Sequence, residues 1–488
     1  MVKLDRRSFI KRAGLGVGAL CASSEALAQR VPRPNILWII SEDTSPDLGC
    51  YGNNVVRTSN FDRLASEGAL FSNAFTTSPV CSPSRSAFMT GMYQGSIGAH
   101  QHRSHREDGY TLPEPARVVS EYFRAAGYFT SNGRGTADSG PGKQDFNFNT
   151  NNSFNGTDWS QRAPGQPFFA IHNIFLTHRK FVRDPENPID PGDVDIPPYY
   201  PDHPLTRRDW ADYLESIQVL DREVGEVLQR LEEDGLAENT IVLYFGDHGR
   251  CHVRGKQWLY EGGIHVPLIV RWPGVIEPGT RIDHLVSTID LAPTCMALAD
   301  IEIPDHLHGN VFLGENAEKR EHIIAARDRC DETVERIRCV RTERYKYIRN
   351  LMPERPYTQF NAYKLQQYPV LPLMHVLHER GELTEAQAAF MAEMKPSEEL
   401  YDLVEDPHET KNLVQSQEHR TTLFELREVL DSWVERYGDQ GLTHENPSII
   451  EYWRKTMAAE HEKWMAEKGL SVDATHEEHL AYWEKKML

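Results

Sequence analysis

Three apolar runs of strand length constrain this chain most: Asn35–Ile40, Gln166–Phe175 and Thr240–Phe245. None alternates cleanly between apolar and polar residues. A strand apolar on both faces belongs in a sheet covered on both sides, which is the habit of parallel sheets. Between the second and third runs, Arg207 to Glu233 carries Trp210, Leu214, Ile217, Leu220, Val224, Val227, Leu228 and Leu231 at helical spacing. That stripe predicts a long amphipathic helix serving as core packing. A shorter helix is expected from about Leu112 to Ala126, and a capped helix start at Thr58–Ala65. Buried strands alternating with helices predict an α/β fold.

Each run ends in residues fit for chemistry. The first is followed by Glu42 and Asp43, the second by Thr177 and His178, the third by Asp247 and His248. In open α/β sheets, ligands collect outside the carboxyl ends of the strands. Read alone, an acid pair after a strand is more often a solvated turn; brought together, acids from one strand end and an Asp/His from another would make one divalent site, whose mostly oxygen ligands favour calcium or magnesium over zinc. Cys251 and His252, close to His248, keep a softer metal open.

Val80 to Ser86 places Cys81, Pro83 and Arg85 ahead of a short apolar stretch closed by Gly91. Proline suits the first turn of a helix. Cys81 then lies near a helix N-terminus, where backbone N–H groups favour an anion.

This Cys-x-Pro-x-Arg pattern resembles the sulfatase family. The resemblance runs from about Asn35 to Leu430. It includes Gly49–Gly52, the Glu261-Gly262-Gly263 run continuing through Val266-Pro267 to Pro273-Gly274, and the 399–413 segment. It implies an alkaline-phosphatase-like mixed-sheet sandwich with a smaller C-terminal antiparallel-sheet subdomain. It also implies that Cys81 is oxidised to formylglycine (3-oxoalanine), whose hydrate is the nucleophile. One hydroxyl attacks sulfur; the other collapses to the aldehyde and expels sulfate. The implied metal group is Glu42, Asp43, residue 81, Asp247 and His248, binding Ca2+ with Mg2+ less suited. Glu42 stands where the family usually has aspartate. Arg85 holds the hydrate, Lys143 and Lys256 bind sulfate oxygens, and His178 protonates the leaving group. Asp145 stands where many members have histidine, as in the N-sulfoglucosamine sulfohydrolase-like branch, and Arg134 competes with Lys143 for the cationic role. His100, His102, Arg250 and Arg254 are expected to line the substrate pocket.

The net charge of −19 argues against nucleic-acid binding. An acidic protein acting on an anionic substrate needs a locally basic pocket. Residues 1–28 read as a twin-arginine export signal, with Arg6-Arg7, an apolar run too short to span a bilayer, and Ala26-Leu27-Ala28 before the cut. This predicts a periplasmic or secreted protein without stable membrane insertion, oxidised at Cys81 by a formylglycine-generating enzyme before export. Six cysteines remain beyond that segment, and converting Cys81 leaves an odd number, so no disulfide scaffold is expected.

The expected organisation is a catalytic domain over 33–336, a C-terminal subdomain over 337–440 and a charged helical tail over 441–488. The expected activity is sulfate hydrolysis from a sulfated carbohydrate, N-sulfoglucosamine or algal polysaccharide. A phosphonate or phosphate monoester hydrolase of the same superfamily and a non-catalytic sulfated-glycan-binding protein stay open as alternatives.

Overall fold

The computed structural model describes residues 33–104, 108–135, 140–150 and 153–488. The expected export segment and His105 lie outside them. The three apolar runs form β1 (Asn35–Ser41), β4 (Phe168–Ile174) and β5 (Thr240–Gly246), every residue of which is buried. They join β2 (Ala69–Phe75), β3 (Phe129–Arg134), β6 (His265–Arg271), β7 (Thr280–Ile282) and β8 (Val286–Ser287) in one sheet. The order is β3-β4-β1-β5-β6-β2-β7, with β8 also on β2. β3, β4, β1 and β5 run parallel, while β6 is antiparallel to both β5 and β2.

Alternation within β1 explains the two cores. Leu37 and Ile39 face one cluster; Ile36, Trp38 and Ile40 face the other. Successive strand residues point to opposite faces, so a strand buried twice is apolar throughout. The first face is covered by α4 (Pro204–Glu233), through Leu214, Ile217 and Leu220. The second is covered by α2 (Cys81–Thr90), α3 (Val119–Ala125) and α5 (Leu291–Leu298), through Phe88, Phe123 and Met296. α1 (Ser59–Ser66) packs on α4. The helix expected from Leu112 starts only at Val119. Pro113 and Pro115 lack the N–H that a helix interior needs.

A second sheet, β12-β11-β10-β9, is antiparallel throughout: β9 (Ile323–Arg327), β10 (Ile337–Arg341), β11 (Tyr345–Asn350) and β12 (Glu398–Asp402). The boundary expected at 336 falls between β9 and β10, since β9 already belongs to this sheet. α6 (Ala362–Gln367) and α7 (Val370–Glu379) follow β11, and α8 (Arg420–Tyr437) packs Leu423, Leu426 and Leu430 against Tyr347 and Leu400. The tail folds as α9 (Pro447–Lys468) and α10 (His476–Met487), which places Leu480 and Trp483 against Leu373, Val376 and Leu205. Among the described residues, no helix is long and apolar enough to cross a membrane.

Two histidines contribute to the response to acid. Burial holds His172 in β4 and His308 each down at about 4. The unfolded chain binds protons on these groups below about 6.5, while the folded protein does not. Their lowered folded values therefore make unfolding more favourable as pH falls from about 6.5 to about 4. Urea titrations at pH 7 and pH 5 are expected to show a lower unfolding free energy at pH 5.

Candidate active site

Strand register builds the site. Ser41 pairs with Ile174 on one side and with Gly246 on the other, so β1, β4 and β5 end level. The residues just beyond them share one edge. At Asp43 the backbone turns left-handed, with φ 54°. Aspartate tolerates that region better than most residues. The turn breaks the strand's alternation, and both Glu42 and Asp43 come within reach of the groups around Cys81.

β2 points its carboxyl end to the same edge, and the chain continues into α2, whose first residue is Cys81. Val80 is extended before it and Gly91 closes the helix at φ 65°, left-handed as a C-terminal glycine permits. The Cys81 Sγ lies 3.2 Å from His248 Nε2 and 3.6 Å from Glu42 Oε1. Burial alone raises a thiol's pKa, but Lys143, Lys256 and His248 outweigh it and lower that of Cys81.

Asp247 organises the acids. Its Oδ1 accepts the backbone N–H groups of Asp43 (3.0 Å) and His248 (2.9 Å). Its Oδ2 takes Arg85 Nε at 3.0 Å, and Arg85 Nη1 donates to Asn173 Oδ1 at 2.8 Å. Asn173 in turn donates to Asn132 Oδ1 at 2.7 Å. Arg85 is thus clamped from two strands.

Lys256 Nζ donates to both Asp43 oxygens at 2.9 Å, and Lys143 Nζ pairs with Glu42. Burial raises the pKa of both acids, but the facing cations win. Lys143 holds Glu42 down at about 2, and Lys256 with His248 holds Asp43 well below the carboxylate range. His248 donates Nδ1–H to the Gly249 carbonyl at 2.9 Å, which leaves Nε2 facing Asp43 Oδ1 at 2.9 Å. Burial pushes its pKa down, yet Asp247 and Asp43 raise it to about 10.

The donor set fits a divalent cation. Ligand atoms of Asp43, Cys81 and His248 all lie within 4.8 Å of one another, as do those of Glu42, Cys81 and Asp247. Three buried carboxylates, with one imidazole nitrogen once a cation displaces its Nε2 proton, suit a hard ion with oxygen preference. His252 instead stacks on Trp210 with ring centroids 4.2 Å apart, and burial raises the Cys251 pKa well above that of a free thiol. Neither behaves as a soft-metal ligand. All six cysteines of the described chain are unpaired.

His178 borders the group, with Nε2 4.0 Å from Asp43 Oδ2. Its Nδ1 donates to the Arg179 carbonyl at 2.6 Å, which leaves Nε2 toward the site. Tyr363, from α6, brings its hydroxyl to 3.5 Å from that Nε2. Nothing local to Tyr363 marks it out, and only the docking of α6 puts it here.

The four residues expected in the substrate pocket have these surroundings. Arg250 is paired with Asp47 at 2.8 Å and lies over Trp210. Arg254 gives its guanidinium to the carbonyls of His408 and Glu409, between the rings of Tyr199 and Tyr260. His102 is buried with Nδ1 3.1 Å from Asp331, and His100 feels the buried Asp328–Arg338–Asp439 group. The member of that loop on the open side is Arg103. It is left-handed at φ 58°, 40% exposed, 3.6 Å from Asp331, and bonded through its N–H to Ser82 Oγ at 2.9 Å. Arg134 is exposed at the end of β3, so Lys143 is the cation at Glu42.

The level strand ends, the helix-borne cysteine and the ring of acids make one buried, metal-capable centre at the carboxyl edge of the sheet. A family model described as Sulfatase matches residues 34–301, and one described as N-sulphoglucosamine sulphohydrolase, C-terminal, matches 246–395. The chain is 34% identical over 473 residues to an ulvan-active sulfatase of Formosa agariphila, which covers 86% of this chain and 78% of that protein. It is 26% identical over 472 residues to the N-sulphoglucosamine sulphohydrolase of Homo sapiens, which covers 86% and 93%. A solved 2-O GAG sulfatase shares the fold with a TM-score of 0.61 at 21% identity, over 86% of this chain and 96% of that one. The chain belongs to the sulfatase family.

Proposed function

We propose that this protein is an exported sulfatase that releases sulfate from a sulfated glycan, with residue 81 matured to formylglycine and a calcium ion at its acids. The observation that carries the reading is the convergence of Glu42, Asp43, Asp247 and His248 on Cys81. When present, the hydrated aldehyde supplies the nucleophile and the cation draws charge from the sulfate oxygens. Calcium is preferred to magnesium because ligands from three loops suit a flexible oxygen shell.

The chain's own residues do the rest. Arg85 is held by Asp247 and Asn173, which fixes its charge beside the start of α2. The ammonium groups of Lys143 and Lys256 offset charge on the sulfuryl group as its ester bond breaks. His178, with Nδ1–H held by the Arg179 carbonyl, presents Nε2 to the leaving oxygen and, as the doubly protonated imidazolium, gives it the Nε2 proton. His178→Ala is expected to lower kcat by about 10²–10³ on a sugar sulfate and far less on a nitrophenyl sulfate, whose leaving group needs no proton. Initial rates on the two substrates check this.

An O-sulfated algal polysaccharide is the first reading of the glycan, supported by the relative at 34% identity. N-sulfoglucosamine is the second, supported by the C-terminal family match and the human relative. The pair Arg6-Arg7 supports export to the periplasm or beyond, after maturation by a formylglycine-generating enzyme. The test is sulfate release from ulvan oligosaccharides and from N-sulfoglucosamine, beside the sulfate and phosphate monoesters of one phenol. Faster phosphate than sulfate turnover would make the protein a phosphomonoesterase. Glycan binding with no release would make it a binding protein.

A further inference from the structure

A cavity of about 330 Å³ lies outside the cysteine pocket, between the 329–336 segment and α9. Its walls include Gln101, Arg329, Glu332, Arg336, Arg355 and Arg454. That volume is at the lower end for small-ligand sites, room for about one or two sugars.

Charge is the cavity's distinguishing property. Arg329 is satisfied by Glu445, at 2.6 and 3.0 Å. Arg336 reaches only the Leu442 carbonyl and His444, and Arg355 only the Gln359 side-chain oxygen at 3.3 Å. Among the described residues, neither of these guanidiniums is paired with a carboxylate. The Arg355 Nε is buried without a hydrogen-bond partner. Arg454 stands at the rim, 67% exposed, beside Glu451 alone. Glu332 accepts the Ala362 N–H through Oε1 at 2.6 Å, and its Oε2 is buried without a partner. Burial lifts its pKa to about 7, so at neutral pH it cancels only part of the arginine charge. Of the other acids in the wall, Glu445 is taken up by Arg329 and Glu335 by Lys395 at 2.7 Å, which leaves the guanidiniums of Arg336 and Arg355 to face an anion that also offers hydroxyls. Met352 and Ile450 add an apolar wall for a ring face.

A short main-chain route links the cavity wall to the catalytic pocket. The Arg329 N–H donates to Gln101 Oε1 at 2.7 Å, and the His102 N–H to the Arg329 carbonyl at 2.9 Å. One residue past Gln101–His102 is Arg103, bonded to Ser82 next to Cys81. Two residues past Arg329 is Asp331, facing Arg103. Two residues span at most about 7 Å.

We infer that this cavity is a second glycan subsite, which takes a carboxylate- or sulfate-bearing sugar of the same chain whose sulfate ester enters the Cys81 pocket. The inference rests on the sulfatase reading and makes the substrate an oligosaccharide rather than a single sugar. It also gives α9 a part in recognition.

The test uses the full chain, the double variant R336Q/R355Q and the rim variant R454Q. Kinetics on ulvan tetrasaccharide and on nitrophenyl sulfate are read together with calorimetric binding of ulvan and heparan sulfate tetrasaccharides. KM for the tetrasaccharide is expected to rise about tenfold in the double variant and about threefold in R454Q, with kcat and the nitrophenyl sulfate rate unchanged. Equal losses on both substrates, or no loss on either, overturn the subsite. R454Q carries the test if the double variant does not fold. If the wild type releases no sulfate, the sulfatase reading fails by itself. The subsite is then judged on binding alone, and tetrasaccharides that bind neither protein, or both equally, overturn it.

Discussion

Cys81→Ala is expected to lower sulfate release about 10⁴-fold or more, while the unfolding free energy changes by no more than about 1 kcal/mol. The reasoning starts from position. Cys81 is the first residue of α2, 3% exposed, with His248 and Glu42 against its sulfur. Removing one buried sulfur leaves a small void, a minor cost, but removes the only atom at the convergence of the acids that can become the nucleophile. Cys81→Ser separates the thiol from its oxidised form. It keeps the shape and offers one hydroxyl, but a lone hydroxyl, once sulfated, has no neighbour to expel sulfate. Its activity is expected to stay within about tenfold of the alanine variant. The companion measurement is mass spectrometry of the peptide carrying residue 81, from protein made together with a formylglycine-generating enzyme. An aldehyde there is the expected result. An active protein with an intact thiol, or an alanine variant that keeps a tenth of the rate, would give the nucleophile's role to another group.

What could be read from the chain alone was local in origin. β1, β4 and β5 announce themselves because a doubly buried strand has no choice of residue type, and the acids at their ends follow from the topology. Cys81, Pro83 and Arg85 lie within one helical turn, so spacing alone groups them. The contacts that sequence did not reveal share the opposite cause. Arg250 and Arg254 look like anion ligands because they flank Lys256, but Asp47 and the carbonyls of 408–409 take them up from far along the chain. His102 looks available until Asp331, 229 residues later, closes on it. Arg103, one position on, differs only in which way the backbone turns, and Tyr363 and Asn173 carry no local signal at all. β9, ahead of residue 336, joins the second sheet by pairing with β10, which composition does not record.

Asp247→Ala is expected to cost about 3–5 kcal/mol of stability and to remove activity to the same degree as loss of the nucleophile. Arg85 is 2% exposed, and Asp247 is its carboxylate partner at 3.0 Å. Without Asp247 a guanidinium is left buried and uncompensated, and the N–H groups of Asp43 and His248 lose their acceptor. Asp247→Asn divides these roles. The amide oxygen still accepts both N–H groups, but Arg85 loses its carboxylate here too, so the stability loss is expected to stay at about 3 kcal/mol, while the charge needed for the cation is gone. Thermal unfolding with and without calcium reads the difference. A ligand at a hundredfold excess over its dissociation constant adds about 2.7 kcal/mol. The wild-type Tm is therefore expected to rise with calcium, and less with magnesium, and that of Asp247→Asn to stay in place. A wild-type Tm unmoved by either ion after chelator treatment would mean that Lys143 and Lys256 already balance the acids. The two lysines would then be committed to Glu42 and Asp43 and could not serve a sulfate. The calcium shift thus tests whether the ammonium groups are free for the substrate as much as it tests the metal.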